Sequence, residues 1–174
     1  MKFKIILVTI LISSFLTPTA QAADKGWRYW GYFQAAPKTT TWTVASTGPT
    51  GDIADGAVEG WSFVFESDDI PSQLPSVKPD FKSICKGAKF DKDSKRIGLV
   101  INFGSATYAP KGEKVQKTIT TCVRVSNESQ VIDVLGQVVK VRAEGAGFIC
   151  GLAGYPGKEC ATEIATPKAL IKKK

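Results

Sequence analysis

Four cysteines constrain the fold of this 174-residue chain more than any other feature of its sequence. They are Cys85, Cys122, Cys150 and Cys160, and the chain contains no histidine and no C-x-x-C spacing. A zinc site of the usual kind therefore lacks its ligands, and no metal site is predicted. In an exported protein, an even number of cysteines predicts disulfides instead. The count allows three pairings. We favour Cys85–Cys122 with Cys150–Cys160, because glycines and Pro156 let the segment between the last two cysteines turn back on itself.

The first residues of the chain have the layout of a secretory signal peptide. Lys2 and Lys4 precede an apolar run over 5–16, and the small residues Ala20 and Ala22 form a cleavage signal. At 1.5 Å per residue this run spans roughly 18 Å, which is short of a hydrocarbon core of about 30 Å. We therefore predict that residues 1–22 are a cleaved signal peptide and that the protein is secreted, with association to the cell surface as a further expectation.

The rest of the chain is long enough for one domain with its own core. We predict a single domain over residues 24–165 and a basic tail over residues 166–174, since four of the last seven residues are lysines. The formal net charge is +7. A solvated, lysine-rich tail would be free to touch an anionic membrane surface peripherally. Nucleic acid is not a predicted partner, because the protein is exported and no basic stripe follows a helix.

Hydrophobic periodicity predicts an α+β fold with a single, mainly antiparallel sheet and two short helices, stapled by the disulfides. The clearest strand is 59–66, whose three aromatic residues fall on one face. The other predicted strands are 25–34, 39–45, 96–103, 118–126, 138–143 and 148–152. The predicted helices are 79–85 and a segment that begins at an Asn127 cap and ends at Gly136.

Three of the four tryptophans lie in the stretch from Gly26 to Trp42. Because side chains alternate along a strand, the aromatic residues of 25–34 must fall on both of its faces. One face is predicted to carry Trp27, Tyr29 and Phe33, and the other Arg28, Trp30, Tyr32 and Gln34. A two-layer domain does not require such a strand, so its aromatic residues need an explanation.

Two interpretations of the aromatic strand are open. In the first, it is a central strand covered on both sides. In the second, Arg28, Trp30 and Tyr32 form an exposed platform whose rings stack on a sugar, a flat heterocycle or a peptide side chain while the guanidinium orients an anionic group. The second interpretation makes the ligand-binding candidates Arg28, Trp30, Tyr32, Trp42 and Tyr155.

The composition removes most catalytic machinery. Without histidine there is no Ser-His-Asp or Cys-His nucleophile system, and oxidised cysteines provide no thiolate. Carboxylate or lysine chemistry remains. The acidic candidates Asp52, Asp55, Asp68 and Asp69 lie on predicted loops, but such residues usually form turns by bonding their own backbone. We therefore predict no catalytic residues, no cofactor and no enzymatic activity, and keep a carboxylate-dependent hydrolase as an alternative.

Several segments resemble an uncharacterised family of secreted proteins from high-GC Gram-positive bacteria. The segments are GWRYWGYFQAAP, VEGWSFVF, PDFKSIC, KRIGLVINFG and FICGLAGYPGKEC, and the resemblance covers residues 26–160. The family has no assigned activity. Its members are often encoded beside components of energy-coupling-factor vitamin transporters, and many end in a membrane-spanning tail. The resemblance implies an accessory role in uptake at the cell surface and a disulfide framework. This chain departs from the pattern in ending on Ile171 and three lysines.

Together these features favour an exported, non-enzymatic binding or accessory protein of the cell envelope, linked through the resemblance to vitamin or cofactor uptake. The expected partner is a small molecule or a glycan, or an envelope or transporter protein. A structural protein that contacts other envelope components is the alternative, in which the aromatic residues serve the core or a protein interface.

Overall fold

The computed structural model of the chain describes residues 24–145 and 147–171. The predicted signal peptide, residues 1–22, and the last three lysines of the predicted tail lie outside the described residues. Within the described ranges the strands are β1 (Lys25–Ala35), β2 (Thr43–Val44), β3 (Val58–Glu66), β4 (Ser94–Asn102), β5 (Ile119–Ser126), β6 (Val141–Glu144), β7 (Phe148–Leu152) and β8 (Thr162–Ala165). The helices are α1 (Phe81–Ile84) and α2 (Val131–Val138), and Lys168–Leu170 forms a 3-10 turn.

The main sheet has the strand order β2-β1-β3-β4-β5, with β8 also paired to β1. Only the β3–β4 pair is parallel among these strands, and it needs a crossover, which residues 67–93 with α1 provide. Since β3 runs along one edge of β1, both β2 and β8 must lie on the other edge. Between them, residues 29–32 have no described strand beside them. The α+β prediction with a mainly antiparallel sheet is confirmed, although β6 and β7 pair in a separate two-stranded sheet that the prediction of a single sheet did not include.

One side of the sheet, which we call the α2 face, carries the larger part of the core. Alternate residues of β3 and β4, such as Phe63 and Leu99, point to it and are fully buried. α2 covers this face because Val131, Val134 and Leu135 form its apolar stripe and pack into the same cluster. The small β6–β7 sheet completes the cover through buried side chains of β7.

The opposite side, which we call the α1 face, has a smaller core. Phe33, Val64 and Val100 form its centre, and Trp42 covers them from the segment before β2. The close approach of Trp42 depends on Gly60, since a Cβ at that position would lie 2.6 Å from the indole ring. This core covers the middle of the sheet and leaves the end that carries Trp27 open.

Both disulfides join the pairs favoured from the sequence. Cys85, at the end of α1, is bonded to Cys122 of β5, which ties the α1 crossover to the sheet. Cys150 of β7 is bonded to Cys160, which ties the small sheet to the segment leading into β8. The two bonds therefore anchor the two layers that cover the main sheet.

The details of the second predicted helix were wrong. Asn127 does not cap it; its amide instead donates to the carbonyl of Lys92 at 2.9 Å. The helix begins after Gln130, whose backbone N–H donates to the carboxylate of Asp133 at 2.8 Å. Gly136 does not end it, since the helix continues for two more residues to Val138. β2 is also shorter than predicted, and β8 was missed.

Part of the predicted tail is ordered against the domain. The backbone N–H of Thr166 donates to the carbonyl of Asp24 at 2.7 Å, and Leu170 packs against the larger core. None of the helices in the described ranges has the length and apolar character needed to cross a bilayer.

The disulfides give the first testable prediction. Replacing Cys85 and Cys122 together by serine should lower the free energy of unfolding by about 4 kcal/mol, and replacing the other pair by about 3 kcal/mol. The difference arises because the first bond closes a span of 37 residues and the second a span of 10. Urea unfolding of the two double variants measures both values, and a larger loss for the shorter span would contradict this reasoning.

Candidate ligand-binding site

The exposed platform predicted from the sequence is wrong for Trp30. The alternation along β1 is as expected, but the face that carries Trp30 is the α2 face, which is covered. Trp30 is only 4% exposed, and its Nε1 donates to the carbonyl of Tyr155 at 3.1 Å. Its ring makes edge contacts with Phe63, Phe103 and Tyr155. Trp30 is therefore a core residue, as the first interpretation of the strand held.

The Arg28 side chain bonds mainly to other residues of the protein. Its guanidinium forms a two-pronged ion pair with the carboxylate of Glu159, with Nε at 2.7 Å from one oxygen. Its Nη1 also donates to the carbonyls of Tyr108 and Ala109, both at 3.2 Å. A paired and mostly buried guanidinium holds the segment around Glu159 in place, and it has few donors left for a ligand.

Trp42 and Tyr155 lie on opposite sides of the sheet, so the structure does not bring the five predicted residues together. Trp42 belongs to the α1 face, and its Nε1 donates to the carbonyl of Val77 at 2.9 Å. Tyr155 is buried in the α2 face, and its hydroxyl has no hydrogen-bond partner among the described residues. Burial, followed by the nearby charge of Glu113, raises the pKa of Tyr155 to about 12.

Two of the predicted residues, Trp30 and Tyr32, line the same accessible cavity, and Tyr32 is the less buried of the two. Its ring stacks on Trp61 of β3, with centroids 4.5 Å apart and planes 9° from parallel. The two residues are direct cross-strand neighbours, which places their side chains on the same face. Trp61 is buried, and its Nε1 has no hydrogen-bond partner within the described ranges. A buried donor without an acceptor costs free energy unless something else supplies one.

We call the cavity beside this stacked pair the aromatic pocket. Its volume is about 390 Å³. The residues that form most of its wall are Trp30, Tyr32, Trp61, Pro49, Phe148 and Ile149. They come from β1, β3, β7 and the loop before Asp52, so the pocket lies where the small sheet meets the main one. A mostly apolar cavity of this size has the character of a small-molecule site.

A buried carboxylate supports the stacked pair from the far side of Tyr32. Glu59 is 1% exposed and accepts a hydrogen bond of 2.6 Å from the Tyr32 hydroxyl. Gln34 donates to the same hydroxyl at 2.6 Å. Burial raises the pKa of Glu59 above its ordinary value of 4.5, against the lowering effect of these donors. Burial and the charge of Glu59 likewise raise the pKa of Tyr32, so its hydroxyl stays protonated and fixes the ring.

Sequence reasoning missed two residues at this site. Phe148 is 49% exposed and lines the aromatic pocket as well as a neighbouring cleft that contains Trp27. Trp27, which was not a candidate, is 50% exposed, whereas Trp30 three residues later is buried. Only the placement of β7 beside β1 brings Phe148 and Trp27 together, and no local sequence signal reports it.

The carboxylates considered for catalysis are dispersed. Asp55 binds the guanidinium of Arg96 at 2.6 Å, and the hydrogen bonds from that guanidinium lower its pKa. Asp52 and Glu59 both line a small cavity of about 250 Å³. Asp68 lines the cleft that contains Trp27. Hydrolysis by a carboxylate pair stays an untested alternative.

One group of metal-ligand atoms occurs among the described residues. It consists of Glu144, Cys150 and Cys160, whose ligand atoms lie within 4.8 Å of one another. The two sulfurs are bonded to each other in the disulfide, so neither is the thiolate that a metal would require.

The contrast between two tryptophans of β1 gives a second prediction. Trp30→Ala should lower the free energy of unfolding by about 3–5 kcal/mol, because it removes a large side chain from a packed core. Trp27→Ala should cost less than about 1 kcal/mol, because half of that side chain is already in water. Chemical denaturation of both variants tests the assignment, and similar losses for the two would refute it.

A third prediction concerns Glu59. Since its folded-state pKa is raised, the folded protein binds this proton more tightly than the unfolded chain, and stability should fall as pH rises above the ordinary value of 4.5. Glu59→Gln keeps an acceptor for Tyr32 and removes the titration. Its stability relative to the native protein should therefore increase from about pH 4 to about pH 8 in urea unfolding.

The control for this prediction is Glu128→Gln, which changes an exposed carboxylate. Its pH profile of stability should run parallel to that of the native protein. A Glu59→Gln profile that also runs parallel to the native one would show that the buried carboxyl does not titrate differently in the folded state.

Comparison with known proteins places the chain in a family. Searches against curated proteins and against solved structures found no match. A family model described as the SCO2322-like domain matches residues 22–165, which include every strand described above and both disulfides. This agrees with the resemblance to an uncharacterised family drawn from the sequence motifs. The chain therefore belongs to the SCO2322-like domain family.

Proposed function

We propose that this chain is an exported, non-enzymatic binding protein whose aromatic pocket takes a small, flat, largely apolar ligand. In this proposal the ligand lies in the cavity bordered by Tyr32, Trp61 and Phe148. The protein acts as an accessory at the cell surface.

The observation that carries the proposal is an apolar cavity of small-molecule size whose wall is largely aromatic. The pocket volume of about 390 Å³ falls within the range of about 300–1,000 Å³ typical of small-molecule sites. The Tyr32–Trp61 stack is held by the hydrogen bond from Tyr32 to Glu59, so the wall is preorganised before a ligand arrives. A rigid wall loses little conformational entropy on binding.

Two further points support a binding role over catalysis. The sequence has no histidine, and all four cysteines are in disulfides. The Arg28 guanidinium is paired with Glu159, and the Glu59 carboxylate accepts a hydrogen bond from the Tyr32 hydroxyl. Such pairs suit a scaffold that presents a cavity, whereas catalysis needs reactive groups aimed at a substrate.

The family resemblance supports linking the bound ligand to vitamin or cofactor uptake, with a transporter protein as a further partner. A glycan ligand and a purely structural envelope role are the alternatives. The aromatic pocket favours a ligand with a flat face, which includes heterocycles and sugar rings. Both ligand types therefore belong in the test.

The proposal is tested by following the indole N–H signals of the four tryptophans in two-dimensional NMR spectra of the purified, oxidised protein. A panel of small heterocyclic vitamins and of soluble cell-wall glycan fragments is titrated in. A compound that enters the pocket should shift the signals of Trp61 and Trp30, which line it. The signal of Trp42 should not move, because that residue lies on the α1 face.

Phe148→Ala should weaken binding of any such compound, because it removes part of the pocket wall. Phe90→Ala is the matched control, since it truncates another exposed phenylalanine that lines neither the aromatic pocket nor the Trp27 cleft. The proposal fails if no compound moves the Trp61 and Trp30 signals, or if both variants weaken binding equally.

A further inference from the structure

A second cavity lies on the other side of Phe148, at the end of the sheet that the α1-face core leaves open. Its volume is about 550 Å³, and we call it the Trp27 cleft. Trp27, Tyr29, Glu66, Asp68 and Phe148 form its wall. Trp27 and Phe148 are 50% and 49% exposed, so a large indole and a phenyl ring are both presented to solvent across one concavity. Exposed aromatic rings gathered in one cavity are a mark of recognition surfaces.

Carboxylates surround the exposed indole. Residues directly opposite each other on neighbouring antiparallel strands share a face, and Trp27 lies opposite Glu66 on β3 and Glu163 on β8. Glu163 is paired with Lys25 at 2.7 Å. Glu66 accepts a hydrogen bond from the Tyr29 hydroxyl, and neither it nor Asp68 forms an ion pair within the described ranges. In a chain of formal charge +7, this cleft is locally negative.

We propose that the Trp27 cleft binds a small organic cation of the alkylated ammonium type. The alkyl groups of the cation pack against Trp27 and Phe148, and its charge is balanced by Glu66 and Asp68. An ammonium with apolar substituents matches this wall because it is attracted to the face of an indole and is less strongly hydrated than a metal ion.

The cleft is built on elements that hold its shape. Trp27 lies on β1 between two paired strands, so its backbone is fixed on both edges. Asp68 sits in a tight turn closed by reciprocal hydrogen bonds between the backbones of Ser67 and Ile70, at 2.9 and 3.1 Å. The adjacent Asp69 is exposed but does not line the cleft. The position of the charge is therefore set by the fold.

The test compares choline with 3,3-dimethylbutan-1-ol, which has the same shape but carries carbon in place of the charged nitrogen. Choline should shift the indole N–H signal of Trp27 and leave that of Trp42 unchanged. The neutral compound should bind several-fold more weakly. Added salt should weaken the binding of choline but not that of the neutral compound, because screening acts on the charge and not on the apolar contact.

Substitutions in the wall of the Trp27 cleft test whether choline binds there. Trp27→Ala should weaken choline binding about two- to fivefold, the range expected for one exposed cation–π contact. Binding to this variant is followed through the backbone amide signals of the cleft. Glu66→Gln combined with Asp68→Asn should remove the preference for choline over the neutral compound, while the glutamine still accepts a hydrogen bond from Tyr29.

Asp69→Asn is the matched control, since it removes an equal charge one residue from the cleft. Equal affinity for choline and its neutral counterpart, an unmoved Trp27 signal, or the same loss in Asp69→Asn would each overturn the proposal. Binding in the aromatic pocket is followed by the indole N–H signals of Trp61 and Trp30, and binding in the cleft is followed by the signal of Trp27. Failure at one site is therefore distinguishable from failure at the other.

Discussion

The complete burial of β3 is the constraint on which the rest of the structure depends. Every residue from Val58 to Phe65 is buried, so both faces of the sheet must be covered at its centre. The hydrophobic effect supplies the driving force, since each large apolar side chain that is fully buried contributes about 1.5–3 kcal/mol. The chain meets this demand with α2 and the small sheet on one face, and with α1 and Trp42 on the other.

The covering layers are short and contain little core of their own, so other interactions attach them. Arg142 of β6 donates from Nη2 to the carbonyls of Cys150, Pro156 and Glu159, at 3.1, 2.9 and 2.7 Å. Arg28 holds the same segment from the main sheet through Glu159. Two guanidiniums and one disulfide thus position β7, and with it Phe148. Both proposed sites depend on that placement.

Much of the fold is predictable from local patterns. The alternation in 59–66 gives β3 and its faces. The glycines and Pro156 between Cys150 and Cys160 favour the bond that joins those two, which leaves Cys85 to pair with Cys122. The same alternation places Glu59 on the face of Trp61, so the presence of a carboxylate among the aromatic residues was predictable from the sequence. β8 was missed because its four residues include only one large apolar side chain, and its pairing with β1 is set by tertiary structure.

The candidate sites were less predictable for a physical reason. Alternation tells which residues share a face but not whether another layer covers that face. Arg28 and Trp30 are good binding residues by type, yet they lie under the α2-face cover. Trp27 is exposed because the α1-face core stops short of it. Coverage depends on contacts between residues more than a hundred positions apart, such as those of β1 with β7.

The four residues of β1 that have no strand beside them also affect how copies of the protein behave toward each other. An unpaired strand edge offers backbone groups to any extended chain and is a common start of aggregation. Here β2 and β8 close the gap at both ends, so an incoming strand has too little length to form a stable ladder. The interrupted edge is therefore a poor template for strand pairing between copies of the protein.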